Sequence, residues 1–582
     1  MSSAIQPQAG ARDGSGFFTD PTGVAQRRYE ALRAYFVEGA TAAEVAARFG
    51  YTTSSMQAMV RDFRAGDTDF FIQRRPGPRV APAKQAARDE VVRLRMRGLS
   101  VTDIADALAT SDTPLNRTGV WEVLAAEGFE KLAPRPPGMR SRLRDDPPRA
   151  RLLDWPTQPV SFEADHAGVL LLAAGLVELD LPGAIAHAKL PGTREIPALN
   201  SLLALLVLKL IGRRRISHVY DVATDAALAA FAGMESLPKA TALGSYSYRL
   251  ERAHDQRLLE ALTPRLLATG LTDGADIDLD FHAIMHYGDD VALETHYVLR
   301  RSQRTESVLT LFAQDGVTRN LIYTGADIHK ATQAGEVMRF VHHWRTATGT
   351  TPELLVFDSK VTTGAGLAAI HAEGIRFLTL RQRSPKVIER LEALPDDAWT
   401  TVTLDRKGRH RKPQVHQDTV TVRGCAAPLR QIAVRGLGHD HPTLILTNDF
   451  DRNPGWLVNR YAKRMAIEQR LTEAIRSFHL DALSSAVALN VDLDATLTVW
   501  AHATYDLLRR HLTGYQHATP DTIWRRFVST RGRLTLRPHG IVARLNNRTY
   551  SPVLRTAKLP PVTIPWWNHR TLTIEIGQPT PT

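Results

Sequence analysis

The sequence predicts a multidomain α+β protein. Two tandem three-helix units come first, then a helical region, an α/β core with a β-rich insertion, and a small basic β domain. Three observations predict this. Residues 352–383 read strand, helix, strand: the apolar run Leu354-Leu355-Val356-Phe357 stops at Asp358, a helical stretch covers 364–373, and after Gly374 a second apolar run covers 375–380. Upstream, Asp276, Asp278 and Asp280 alternate with Ile277, Leu279 and Phe281. This period of two puts a carboxylate row on one face of a strand and core on the other. Near the amino end, the pattern helix, glycine, capped helix, third helix occurs twice.

Composition sets bounds on the rest. At 582 residues the chain is long enough for about three to five domains. The single cysteine, Cys425, excludes internal disulfides and multi-thiolate zinc sites. The longest apolar stretches, 168–177 and 202–211, fall short of the ~20 residues of a membrane span. The first fifteen residues are polar and Gly-rich, unlike a signal peptide. The expectation is a soluble cytoplasmic protein with no membrane contact. The net charge is +12, and residues 509–570 hold twelve Lys/Arg against one acidic residue, Asp521. Charge so segregated points to a polyanion.

Residues 1–22 read as a disordered tail. In 23–66, a helix over 25–38 carries Tyr29, Leu32, Tyr35 and Phe36 on its apolar side, and Gly39 ends it. Thr41 with Glu44 forms a capping box for 42–49, Gly50 turns the chain, and a third helix covers 53–63. That is the layout of a helix-turn-helix reader. Residues 86–130 repeat it with Gly98, the Ser100/Asp103 cap, and helices over 101–108 and 116–127. Thr53, Ser54, Ser55, Gln57, Arg61, Arg117 and Thr118 are the candidate base readers. Between the units, linker 67–85 carries Arg74, Arg75 and Arg79, either an arm for the minor groove or an ordinary solvated linker. A second linker, 131–158, is rich in Arg and Pro.

Residues 159–270 read as helices, with the Leu-rich stretch 201–211 serving as core or subunit contact. From 271 to 510 the order is strands at 276–281, 307–313 and 320–323, a helix over 332–344, then the strand–helix–strand unit. This is the order of the ribonuclease-H-like fold, whose first and fourth strands are neighbours; Asp280 and Asp358 would then meet. Asp358 ends its strand, where ligands of such sheets sit, or it caps the next helix. Short strands such as 401–404 and 419–422 mark a β insertion over about 384–446. A later helix, 459–478, repeats Met465, Ile467, Leu471, Ile475 and Phe478 at helical spacing. Tyr461, Arg464 and Glu468 fall on adjoining turns of one face. Asp278 and Glu473 are alternative carboxylates, though Glu473 lies roughly 140° around the helix from Glu468.

Together these residues resemble the DDE transposases of bacterial insertion sequences, in the branch with a Y-x2-R-x3-E-x6-K helix and a β-rich insertion. Tyr461, Arg464 and Glu468 match; Ile475 stands at the Lys position, with Arg476 one residue along. Asp280 lies in DFHAI and Asp358 in FDSK, and the resemblance extends from Asp273 to about Arg510. It implies Asp280, Asp358 and Glu468 as catalytic metal ligands, with Tyr461, Arg464 and Arg476 on DNA. Three carboxylates suit hard ions, Mg²⁺ with Mn²⁺ substituting. Two ions about 4 Å apart serve an in-line phosphodiester displacement. The implied reactions are hydrolysis at the element's ends, then attack of the freed 3′-OH on target DNA. The implied setting is a homodimer on double-stranded DNA, associated with the bacterial nucleoid. His282 and His286 share the Asp280 face and would contact DNA or be structural. No GxxxxGK motif suggests a nucleotide. The alternatives are a non-catalytic helix-turn-helix regulator and a ribonuclease-H-like nuclease without strand transfer.

The basic segment 511–582 reads as short strands at 533–537, 541–545, 549–554 and 571–576, with Trp566 and Trp567 in its core or docking surface. No acidic stretch of the sequence answers its charge. Arg531, Arg533 and Arg537 are therefore expected to grip DNA backbone.

Overall fold

Val24–Phe36 (α1), Ala42–Phe49 (α2) and Thr53–Arg64 (α3) form the first three-helix unit in the computed structural model. The structure describes residues 21, 23–66, 70, 82–129, 150–285, 294–298, 303–405, 410–480 and 491–577. The predicted tail (Pro21 apart), Arg74, Arg75, Arg79, His286 and most of the second linker lie outside them. The predicted capping box is present: the Thr41 amide donates to Glu44 Oε2 at 2.8 Å, and the Glu44 amide to Thr41 Oγ1 at 3.4 Å. Gly50 closes α2 at φ 72°, a left-handed position that favours glycine. Leu32, Val45, Phe49, Met56 and Val60 make the core. Tyr29 and Phe36, expected on the apolar side, stay partly exposed and meet Phe70 and Phe63 edge-on or tilted. Residues 1–81 form one compact unit and 82–582 another.

The second unit opens with Pro82–Met96 (α4), Val101–Leu108 (α5) and Arg117–Ala126 (α6). The Ser100/Asp103 box is again present, and Asn116 caps α6 by accepting from the Gly119 amide at 2.8 Å. This three-helix segment is fastened to the helical region behind it. Arg215 donates to the carbonyls of Ala125 and Ala126, and Ser217 donates to that of Glu127 at 2.7 Å. These bonds satisfy carbonyls that the end of α6 leaves open.

The region 159–270 is not all helix. It starts with strand Val160–Ala164 (β1), which pairs antiparallel with Gly532–Arg537 far downstream. Ala198–Leu210 (α7) is buried throughout from Asn200, so the Leu-rich stretch is core. Its Lys209 ion-pairs with Asp494 and donates to the Phe478 carbonyl at 3.0 Å. No single helix among the described residues is long and apolar enough to cross a membrane.

The large mixed sheet holds Asp276–Met285 (β2), Glu294–Val298 (β3), Gln303–Asp315 (β4), Leu321–Ile328 (β5), Leu354–Phe357 (β6) and Arg376–Leu380 (β7). The insertion adds Thr400–Thr401 (β8), Gln414–Val422 (β9), Cys425–Arg435 (β10) and Thr443–Thr447 (β11). The order is β8-β9-β10-β11-β7-β6-β2-β4-β3, with β5 also on β4. Strand β3, absent from the sequence expectation, pairs antiparallel with the first residues of β4, from Glu294 opposite Ser307 to Val298 opposite Gln303. The insertion extends the core sheet, because β11 pairs antiparallel with β7. Helix Glu336–Thr348 (α8) precedes β6, and Gly364–Ala372 (α9) joins β6 to β7. Val491–Arg510 (α10) is buried along almost its whole length and packs on β5.

The carboxyl-terminal sheet contains Gly532–Arg537 (β12), Gly540–Leu545 (β13), Val562–Ile564 (β14) and Arg570–Ile576 (β15), in the order β14-β15-β13-β12-β1. The strand expected at 549–554 is instead the start of helix Ser551–Ala557. Pro552, which has no N–H for a ladder, sits comfortably in a first helical turn. Trp566 and Trp567 each donate from Nε1, at 2.8 Å, to the carbonyls of Phe231 and Ala230. They anchor this sheet to the helical region.

Candidate active site

Strands β2 and β6 are parallel neighbours, and their last paired residues are Leu279 and Phe357. The next residue along each is an aspartate, so Asp280, midway along β2, lies beside Asp358, which directly follows the last residue of β6. Asp280 Oδ1 accepts from the Phe281 amide at 3.0 Å; Asp358 Oδ1 accepts from the Ser359 amide at 2.6 Å. Asp358 does not cap α9. Thr363 fills that position.

The helix expected over 459–478 is broken. Pro454–Lys463 (α11) ends, Arg464 and Met465 turn, and Ala466–Phe478 (α12) begins. Across the break the Arg464 amide donates to the Tyr461 carbonyl and the Ile467 amide to the Arg464 carbonyl, each at 3.0 Å. Bonds spanning three residues instead of four tighten the chain there. Met465, expected on the apolar face, is exposed as a result. Glu468 falls in the first turn of α12, at the positive end of the helix dipole.

Two arginines one turn apart tie this corner to the acidic strand. Arg460, buried, donates from Nε to Asp276 Oδ2 at 2.6 Å, and from Nη2 to Asp276 Oδ1 at 2.6 Å and Asp278 Oδ1 at 2.7 Å. Gly316 makes room for it: a Cβ there would lie 2.4 Å from Arg460 Nη2. Arg464, also buried, stands 3.5 Å from Asp280 Oδ2 and 3.9 Å from Glu468 Oε1, and its guanidinium lies over the Tyr461 ring. Its Nε and Nη1 have no hydrogen-bond partner among the described residues. Burial pushes the Asp280 carboxyl up to about 6; the Glu468 and Asp358 charges add to this, and Arg464 opposes it.

Of the two alternative carboxylates, Asp278 is taken up by Arg460, and Glu473 by Arg470 at 2.8 Å. Asp280, Asp358 and Glu468 thus share one corner around Arg464. Among the described residues no three His, Cys, Asp or Glu side chains are gathered as a ready metal cluster. The donor set itself is all carboxylate oxygen, which suits a hard divalent ion. Glu468, half exposed and touched only at 3.9 Å, is the least constrained of the three. Arg460 was missed in the sequence, where its only signal is a position one helical turn before Arg464.

The candidate DNA-reading side chains Thr53, Ser54, Ser55, Gln57 and Arg61 are exposed along α3. The Ser54 and Ser55 hydroxyls share Thr52 Oγ1 at 3.1 and 2.8 Å, and Arg61 pairs with Asp62. Arg117 and Thr118 are exposed in the first turn of α6, and Arg476 in the last turn of α12. The basic end of the chain requires a correction: it does have acidic partners. Arg531 pairs with Asp165 at 2.9 Å and Arg533 with Glu163 at 2.7 Å, because β1 lies beside β12. Arg537 is exposed at the end of β12. No protein-family model matches the chain, and no curated protein matches it significantly in sequence.

Proposed function

We propose that the chain is a DDE-type DNA transposase, which binds the terminal inverted repeats of an insertion sequence, cleaves at the ends and joins them to target DNA. One observation carries the reading. Asp280 on β2 and Asp358 just past the end of the parallel neighbour β6 lie side by side, and Glu468 stands near them on a separate helix, linked through Arg464. The strand order β5/β4/β2/β6/β7 around them agrees with a ribonuclease-H-like core extended by the insertion. The exposed faces of α3 and α6, each behind a capped turn, suit helix-turn-helix recognition.

In this reading Asp280, Asp358 and Glu468 would hold two Mg²⁺ ions, which activate the attacking oxygen and stabilise the leaving one. The chain's own residues arrange the rest. Arg460 engages Asp276 and Asp278, so Asp280 is the carboxylate of the row that it leaves for the site. Arg464 can turn its unbonded Nε and Nη1 toward a phosphate oxygen, with Tyr461 packed against its guanidinium. The test is incubation with Mg²⁺ and DNA bearing the element's ends. Asp280→Ala, Asp358→Ala and Glu468→Ala should each abolish nicking and leave binding to the ends nearly intact. Full cleavage by the Asp358 variant would reject the assignment. Nicks without joined products would favour a nuclease of this fold, and binding without nicks a regulator.

A further inference from the structure

Away from the acidic corner, a cleft of about 540 Å³ is lined by Asp165, His166, Ser529, Arg531, Asn546 and Arg548. Three distant segments build it, and they are locked together. The Gly168 amide donates to the Thr530 carbonyl at 2.9 Å, and the Asn546 amide to that of Arg531 at 2.9 Å. A Cβ on Gly168 would lie 2.4 Å from the Val528 carbonyl oxygen, so glycine permits the close approach. A π-helical turn, Trp524–Val528, a rare geometry that recurs at functional sites, leads directly into the lining residue Ser529.

Within this frame His166 is oriented from behind. Its Nδ1 lies 2.9 Å from Asp225 Oδ2, which also accepts the His166 amide at 3.0 Å, and its ring stacks on Trp524. Burial alone would push the Asp225 carboxyl up, but hydrogen bonds from His166 and from backbone amides outweigh it and hold it low. The ionised Asp225 therefore holds the Nδ1–H and fixes the ring, and in the imidazolium form Nε2 is the N–H left to donate to an anion. Arg548 spends its N–H groups on oxygens that carry no charge: the Ser529 carbonyl and Thr530 Oγ1 at 3.0 Å each, and the Arg525 carbonyl at 3.0 Å. Its positive charge is thus not cancelled by those bonds. Among the described residues Arg531 is matched by Asp165 alone, in a pair whose side chains are 74% and 67% exposed. Such a pair is readily exchanged for a better-placed anion.

We infer that this cleft is a second DNA contact: a phosphate-binding site that takes a backbone phosphodiester of duplex DNA on His166, Arg531, Arg548 and Asn546. This rests on the transposase reading only for the identity of the DNA, since the contact needs neither metal nor cleavage. A lone tetrahedral oxyanion with several acceptor oxygens matches a set of fixed donors and one mobile guanidinium. Commitment to the duplex follows from the exposed Arg533 and Arg537, which continue from Arg531 along the same strand.

The test uses the full chain without divalent metal. Binding of a 20-bp duplex of random sequence is titrated across salt concentration by anisotropy, and Trp524 fluorescence, taken as the difference between the chain and its Trp524→Phe variant because the chain has nine tryptophans, is followed with the duplex and with inorganic phosphate. Arg531→Ala and His166→Gln should each weaken duplex binding about threefold to tenfold, and Arg531→Ala should lower the log–log salt slope by about one. Wild-type Trp524 emission should change on duplex addition, and that change should shrink in both variants. Wild-type affinity and slope in Arg531→Ala, an exposed position that does not threaten folding, would overturn the inference. A Trp524 response to inorganic phosphate with none to duplex would also overturn it, in favour of a small-phosphate site. Metal-dependent nicking, assayed separately on the same variants, reports on the transposase reading alone.

Discussion

Arg460 donates to Asp278 across a gap of 182 residues in sequence, at 2.7 Å, with both side chains buried. The same guanidinium holds Asp276 with two further bonds. Burying two carboxylates on one strand face without a cation would be costly. Arg460 offsets part of that cost and fixes α11 to β2.

The first prediction follows directly. Arg460→Met leaves Asp276 and Asp278 without their partner and should destabilise the protein by about 3–5 kcal/mol. Adding Asp276→Asn and Asp278→Asn should recover a large part of that loss, since the stranded charges are then gone. Denaturant melts of the three proteins check this. No recovery in the triple variant would mean that Arg460 acts through packing alone.

Part of this site could be read from the sequence. The period of two at Asp276–Asp278–Asp280 and the end of the run at Asp358 are local signals, and strand order alone brings Asp280 and Asp358 together. The capping boxes at Thr41 and Ser100 are likewise local. The long-range pairings could not be read. Nothing near Val160 announces a partner beyond residue 530, and Arg460 looks like any exposed helix residue until Gly316 is seen beneath it. The helix break is also invisible locally, because no proline or glycine marks Arg464 and Met465.

A pH dependence follows from Asp280. Its carboxyl is pushed up to about 6 by burial and by its acidic neighbours, against an ordinary value of about 3.9. A raised carboxyl favours the protonated folded state, so its contribution to stability falls as pH rises from about 4 to about 6. The loss amounts to up to about 3 kcal/mol and persists above that window. Asp280→Asn should therefore be more stable than wild type at pH 8 in chelator and nearly equal at pH 4. Thermal melts at the two pH values decide it. Asp278 titrates in the same window and is present in both proteins, so the difference isolates Asp280. Metal-dependent nicking should climb about tenfold per pH unit below about 6 and level off above, because ligands must be deprotonated.

Sequence reading should reside in α3 and α6. Gln57→Ala and Arg117→Ala should each cost about 1–3 kcal/mol on the element's ends and little on scrambled DNA. Competition binding measures both. Equal losses on the two DNAs would assign these side chains to the backbone instead.

The carboxylates opposite the basic strand supply the last prediction. Glu163 and Asp165 face Arg533 and Arg531 in exposed ion pairs, and exposed pairs contribute only about 0–1 kcal/mol to folding. Their larger effect is on the field, since each carboxylate cancels a charge that would otherwise face a phosphate. Glu163→Gln with Asp165→Asn should leave the fold nearly as stable as before. Binding to duplex DNA of any sequence should tighten about threefold to tenfold at low salt, because the released arginines can displace counterions. At high salt the variant and wild type should converge. Salt titrations of a random duplex supply the measurement. Weaker or unchanged binding at low salt would show that the β1–β12 face does not meet DNA, and that its ion pairs serve only to join the two strands.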